Sequence, residues 1–210
     1  MAPRNVSLIA YRNAASQRAH FAIFVPTASD QDRGTMIHVV GAPMAGYRLE
    51  FKRNYAINLT LQLYTRLAIG QIDSQHIVPD SDPQAPLVTD SSPKCAIEVA
   101  ATQIPPPAIS QNFLAPVNNT TNRRCQEWTM DYVHRLVHHQ YLNENAIQIV
   151  QSARDPPNHG VGLNPVGGGR GRGRAHIHRK QQTQAHSLDK DPDISLNQEA
   201  SFEAEKKTSR

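Results

Sequence analysis

One stretch, Asn122 to Val137 (NRRCQEWTMDYVHRLV), limits what this chain can fold into more than any other. Trp128, Tyr132, Val133, Leu136 and Val137 recur at three- and four-residue spacing, which places them on one face of an α-helix. Asn122 or Thr121 is positioned as N-cap, because short polar side chains bond the N–H groups that a helix start leaves free. Cys125 then falls in the first turn, where those N–H groups and the positive end of the helix dipole favour a thiolate. A helix with so bulky an apolar stripe must bury it against a second layer.

The preceding chain supplies that layer. Arg18 to Pro26 (RAHFAIFVP) is a β-branched and aromatic run closed by a proline, the pattern of a buried strand. Thr27 to Gly34 is a polar turn region, and Thr35 to Gly41 (TMIHVVG) reads as the returning strand of an antiparallel hairpin. His20 near the start of the first strand and His38 near the end of the second then come close across the pair. Val6 to Tyr11 reads as a short strand, and further strands are predicted within Gly46 to Asn54 and Leu59 to Ile72. Ser92-Pro93 has the signature of a helix start, with Ile97, Ala101 and Ile104 on its inner face and Pro105-Pro106-Pro107 at its end. Ala108 to Thr121 reads as an extended connection. A last helix is predicted over Asn143 to Ala153, with Ala146, Ile149 and Val150 sharing a face. The expected fold class is α+β, an antiparallel sheet packed on the cysteine-bearing helix, within one domain spanning 1–155.

Beyond Asp155 the pattern changes. The stretch PPNHGVGLNPVGGGRGRGR lacks apolar periodicity, and the chain from His176 onward is polar and mixed in charge. Residues 156–210 are therefore expected to be a disordered tail, since they bury too little apolar surface to offset the entropy of ordering. Gly167 to Arg174 (GGGRGRGR) resembles an arginine-glycine box, which can bind RNA or acidic partners, although short instances are usually solvated linkers. It has neither the preceding strand nor the Gly-Lys-Ser/Thr ending of a phosphate-binding loop, and no cofactor is expected. The net charge of +4 is mild and identifies no partner. Nothing approaches the ~18 apolar residues of a membrane-crossing helix. Val6 to Ala10 is too short an apolar run for a secretory signal, so the expected compartment is the cytosol, with the nucleus as the alternative. Cys95 and Cys125 form neither a disulfide framework nor a zinc pattern. His134 and His138 have i, i+4 spacing but lack a further ligand, and no metal is expected.

The constellation that can carry chemistry is Cys125 with His20 and His38. A thiol nucleophile needs a base within hydrogen-bond reach and a third group to hold that base in its tautomer. Backbone N–H groups at the helix start can then stabilise an oxyanion. The ordinary reading is that Cys125 is a small core residue and that the histidines are strand residues with satisfied nitrogens.

HFAIFVP, GTMIHVVG and RCQEWTMDYVHRL resemble the permuted papain-like fold of the lecithin retinol acyltransferase and NlpC/P60-related proteins. In that family a strand opening with a histidine carries the base, a second strand histidine orients it, and the nucleophilic cysteine starts a later helix. The resemblance implies Cys125 as nucleophile, His20 as base and His38 as orienting group, over residues 6 to 140. It departs where Arg124 replaces the asparagine before the cysteine and Gln126-Glu127-Trp128 replaces Glu-His-Phe. The chain also resembles small uncharacterised fungal proteins carrying RCQEW and RDPP-HG stretches, here Arg124 to Trp128 and Arg154 to Gly160. Three functions follow as expectations. The first is a cysteine-dependent acyltransferase or hydrolase acting on an unidentified small-molecule or peptide substrate. The second is a non-catalytic binding or accessory protein of the same fold. The third is an interaction protein that uses the RGRGR tail.

Overall fold

The computed structural model describes residues 2–80 and 82–161. Within them the fold is α+β. Strands β1 (Arg4–Tyr11), β2 (His20–Pro26), β3 (Arg33–Ala42), β4 (Gly46–Ala56), β5 (Tyr64–Ile72) and β6 (Val88–Asp90) form one antiparallel sheet in the order β5-β1-β2-β3-β4-β6. Helices α1 (Ala96–Thr102), α2 (Cys125–His138) and α3 (Asn145–Ala153) follow. The tail expected over 156–210 lies outside the described residues from residue 162 onward, and the GGGRGRGR stretch with it.

Side chains of a strand alternate between faces, so β2 is apolar throughout because both of its faces are covered. Phe21, Ile23 and Val25 join Ile37, Val39 and Phe51 in the main core, together with Trp128, Tyr132, Val133 and Leu136 of α2. Ala22 and Phe24 face the other way, into a smaller cluster with Ile9, Tyr11, Met36 and Ile57 that contains no residue of α1, α2 or α3. The same alternation decides where the polar residues of these strands go.

The predicted stripe of α2 is the buried one. Trp128, Tyr132, Val133 and Leu136 are wholly inaccessible, and burial of each contributes on the order of 1.5–3 kcal/mol. The two aromatic tips are satisfied: Trp128 Nε1 donates to Ile104 O at 3.1 Å and Tyr132 Oη donates to Ile97 O at 2.9 Å. These bonds tie α2 to α1 and to the turn after it.

Among the boundaries that differ from those read in the sequence, three have an identifiable physical cause. Arg124, rather than Asn122 or Thr121, is the N-cap of α2. Asn122 is spent elsewhere, donating to Ala115 O at 2.7 Å and accepting from Ser110 Oγ at 2.8 Å, while the Glu127 carboxylate accepts the Arg124 N–H at 3.0 Å. Helix α1 begins at Ala96, past Ser92-Pro93, because the buried Glu98 carboxylate holds Lys94 N–H at 2.7 Å and Arg53 at 2.6 Å. Strand β5 begins at Tyr64, not Leu59: Ile57–Leu59 is a 3-10 turn that buries Ile57 and leaves Leu59, Leu61 and Leu63 outside. Their alternation imitates a strand without a sheet to pair with. The folded body also continues past Asp155, since Arg18 donates to Pro156 O at 2.8 Å and Val117 N–H to Pro157 O at 2.8 Å.

Candidate functional site

The structure brings His20 and His38 together. His20 Nε2 lies 2.9 Å from His38 Nδ1, and His38 Nε2 lies 3.3 Å from Glu50 Oε1. Glu50 stands opposite His38 in the β3–β4 register, a neighbour that cannot be found until the register is known. Proton placement follows from chemistry. The hydrogen bond from His38, with Lys52 adding to it, outweighs desolvation and holds the Glu50 pKa down to about 2. Glu50 is therefore a carboxylate that can only accept, so His38 Nε2 donates. Burial, more than the opposing bond to Glu50, lowers the His38 pKa and keeps the ring neutral, so its Nδ1 accepts. His20 must then donate through Nε2, which leaves its Nδ1 as a lone pair. Burial first, then His38 and Lys52, lower the His20 pKa to about 3. Tyr11 stacks on His20 with ring centres 6.2 Å apart.

Cys125 is on the other side of the sheet. His20 alternates with Phe21 and shares its face with Ala22 and Phe24, and His38 alternates with Ile37 and Val39. The helix and Cys125 belong to the core on the Phe21 face. The Cys125 thiol points at β2 backbone, donating to Ala19 O at 3.8 Å. Burial raises its pKa to about 11, with the Glu127 charge adding and the Phe21 and Gln126 N–H groups and Arg18 opposing. Helix-start N–H groups do favour a thiolate here, but desolvation is the larger effect. Of the three residues expected to act together, the structure joins two and sets the third behind the sheet.

The residues around Cys125 have another task. Glu127, nearly inaccessible, accepts from Arg18 at 2.7 Å, Arg154 at 2.7 Å and the Arg124 N–H. Gln126 Nε2 donates to Ala19 O at 2.9 Å and Asp155 Oδ2 at 2.8 Å, and its Oε1 accepts the Asp155 N–H at 3.0 Å. Asp155 also accepts from Arg12 at 2.6 Å and Ala19 N–H at 2.8 Å. Against the effect of its burial, these bonds hold the Asp155 pKa below the usual carboxylate range. His159 Nε2 sits 2.9 Å from Arg12 and 3.1 Å from Gln17 O. Gly160 has φ +65°, and a Cβ there would lie 2.4 Å from Arg18 N. RCQEW and RDPP-HG are thus two halves of one clamp that closes on the β1–β2 connection.

Beside this clamp opens a cleft lined by Gln17, Arg18, Gly41, Pro43, Arg124 and His159 among others. Tyr47 stands close to Cys125 and Arg124, and burial raises its pKa above the ordinary tyrosine value. Glu50, Glu127, Asp155, Arg18 and Tyr47 were not singled out in the sequence. Only the pairing of the RCQEW and RDPP-HG stretches carried a signal for Glu127 and Asp155. Among the described residues no group of three His, Cys, Asp or Glu is arranged to hold a metal.

The model of one protein family matches residues 6–143, from the start of the sheet through the end of α2. The chain belongs to the family of unknown function DUF6540. The DUF6540 match contains His20, His38, Glu50, Cys125 and Glu127, and stops before α3 and the Asp155 half of the clamp. No curated protein and no solved structure matches the chain.

Proposed function

We propose that this DUF6540 chain is a binding or accessory protein that keeps the order of elements of the permuted papain-like proteins without their thiol chemistry. The observation that carries this reading is the placement of Cys125: buried, bonded to Ala19 O and on the face of the sheet opposite His20 and His38. A cysteine acyltransferase or hydrolase needs its base within reach of the sulfur. Here His20 bonds His38 and His38 bonds Glu50 instead, and Gln126 and Glu127, which stand where the permuted papain-like proteins have Glu-His after the cysteine, hold the clamp. The lone pair at His20 Nδ1 is suited to accepting a hydrogen bond more than to nucleophilic activation, since a base of pKa about 3 is weak at neutral pH.

The test is acyl transfer from p-nitrophenyl acetate to the full chain. The expected result is no stoichiometric burst of p-nitrophenol and no acetyl adduct on the Cys125 peptide by mass spectrometry. A burst that disappears in Cys125→Ala would restore the thiol acyltransferase or hydrolase reading.

A further inference from the structure

The clamp and the cleft beside it carry more positive charge than the fold neutralises. Arg12, Arg18 and Arg154 converge on two carboxylates, Glu127 and Asp155, and Arg124 stands near them. Arg18 and Arg154 bond the same oxygen of Glu127, and Arg12 takes Asp155. Arg124 is left over. Among the described residues no carboxylate approaches its guanidinium within 4.0 Å; its only bond is to Phe113 O at 2.8 Å, and its Nε is buried without a partner. Arg18 is 6% exposed in its side chain, lines the same cleft, and also keeps Nε without a partner. Desolvation lowers the Arg124 pKa, with the neighbouring Arg18 charge adding to it and the Glu127 charge opposing. A guanidinium remains charged at any ordinary pH, so a partly buried one with no carboxylate beside it is able to take an anion from outside.

The cleft admits one. It opens over about 850 Å³, and among the described residues its lining contains two arginines and His159 but no aspartate or glutamate. The start of α2 adds the positive end of a helix dipole. Along one edge, Ser110 N–H bonds Pro43 O at 2.7 Å and Phe113 O receives Arg124, so the segment between them follows the cleft wall. Apolar side chains stand open next to these residues in the chain: Met44, after Pro43, is 62% exposed, and Ile109 and Leu114, which flank the 110–113 segment, are 63% and 47% exposed. Exposed apolar side chains grouped beside a charged site mark a surface that meets an apolar partner.

We infer that the cleft between the β1–β2 connection and the start of α2 binds an oxyanion, carboxylate or phosphate, carried on an apolar body, with Arg124 as its principal contact. This rests on the binding-protein reading above and names the ligand class for it. Guanidinium pairs with either oxyanion through two parallel bonds, and the aliphatic or aromatic body lies against Met44, Ile109 and Leu114.

Titration of the full chain with octanoate, with octyl phosphate and with octanol, read by amide shifts at Gly41, Arg124, His159 and Gly160, tests this. Octanoate or octyl phosphate should move these amides and octanol should not; whichever anion binds more tightly names the headgroup. Arg124→Gln should weaken binding by about tenfold or more, and Arg124→Lys should lose less. Amides that stay still with both anions, equal shifts with octanol, or undiminished binding in Arg124→Gln would overturn the inference. Failure here leaves Cys125 unacylated by p-nitrophenyl acetate, whereas failure of the binding-protein reading puts an acetyl group on it, so the two are told apart.

Discussion

Cys125 and His20 show how one backbone property overrides a local chemical signal. Read along the chain, a cysteine at a helix start and a histidine at a strand start are the parts of a thiol site. In space, period two in β2 sends His20 to the face of Ala22 and Phe24, while the helix lies over Phe21 and Ile23. A shift of one residue would exchange the faces. The consequence is measurable in acid. Between pH 6.5 and about 3 the unfolded chain protonates His20 while the folded chain resists, so the stability present above pH 6.5 is lost as pH falls through that window. His38 acts in the same direction, and Glu50 adds a loss between pH 4.5 and about 2. Chemical denaturation of the wild type at pH 7 and pH 4 should differ by on the order of 2–3 kcal/mol, and His20→Phe should reduce the difference. A pH-independent midpoint in the wild type would contradict the proton placement in the Glu50–His38–His20 chain.

At the level of elements, the start of α2 is held from two sides. Its inner face is fixed by Trp128 and Tyr132, whose periodicity made the helix legible in the sequence. Its first turn is fixed by Glu127, which a reading of local capping assigned no part, because its partners Arg18 and Arg154 are distant in the chain. Glu127→Ala leaves Arg18 buried without its counter-charge and should cost about 3–5 kcal/mol, measured by denaturant unfolding. The other half of the clamp is tested at Gly160. A side chain there meets the Arg18 backbone in a left-handed conformation, so Gly160→Ala should destabilise by more than about 1 kcal/mol. It should also speed hydrogen exchange at Ala19 and Asp155, whose N–H groups the clamp protects. Unchanged exchange would mean that residues 156–160 are not part of the clamp.

For the whole molecule, the sheet-and-helix character was visible because strongly apolar strands and an amphipathic helix follow from short-range periodicity. The strands β1 to β4, the hairpin of β2 and β3, and the burial faces of α1 and α2 were all readable in that way. The register was not, and with it went Glu50 as the partner of His38. Nor was the face of each histidine, since a run apolar on both sides, such as HFAIFVP, does not announce which side the helix will cover. The arginine-lined cleft assembles residues 17–18, 41–43, 124 and 156–161 from four separate segments, an arrangement that no local pattern encodes. What unites these observations is a buried cysteine and, next to it in the chain, an arginine whose guanidinium no carboxylate approaches within 4.0 Å among the described residues.

Cys125 lies in the main core, and the pH dependence of iodoacetamide alkylation reads out whether its thiol is inert there. Alkylation at Cys125 and Cys95 would be followed by peptide mass spectrometry in the native wild type and in His20→Ala. Burial pushes both thiols up to about 11. Cys125 should therefore react slowly throughout, show no inflection below the ordinary thiol range of about 8.5, and behave identically in His20→Ala. Rapid alkylation of Cys125 well below that pH, abolished by His20→Ala, would reveal a thiolate–imidazole pair and contradict the account.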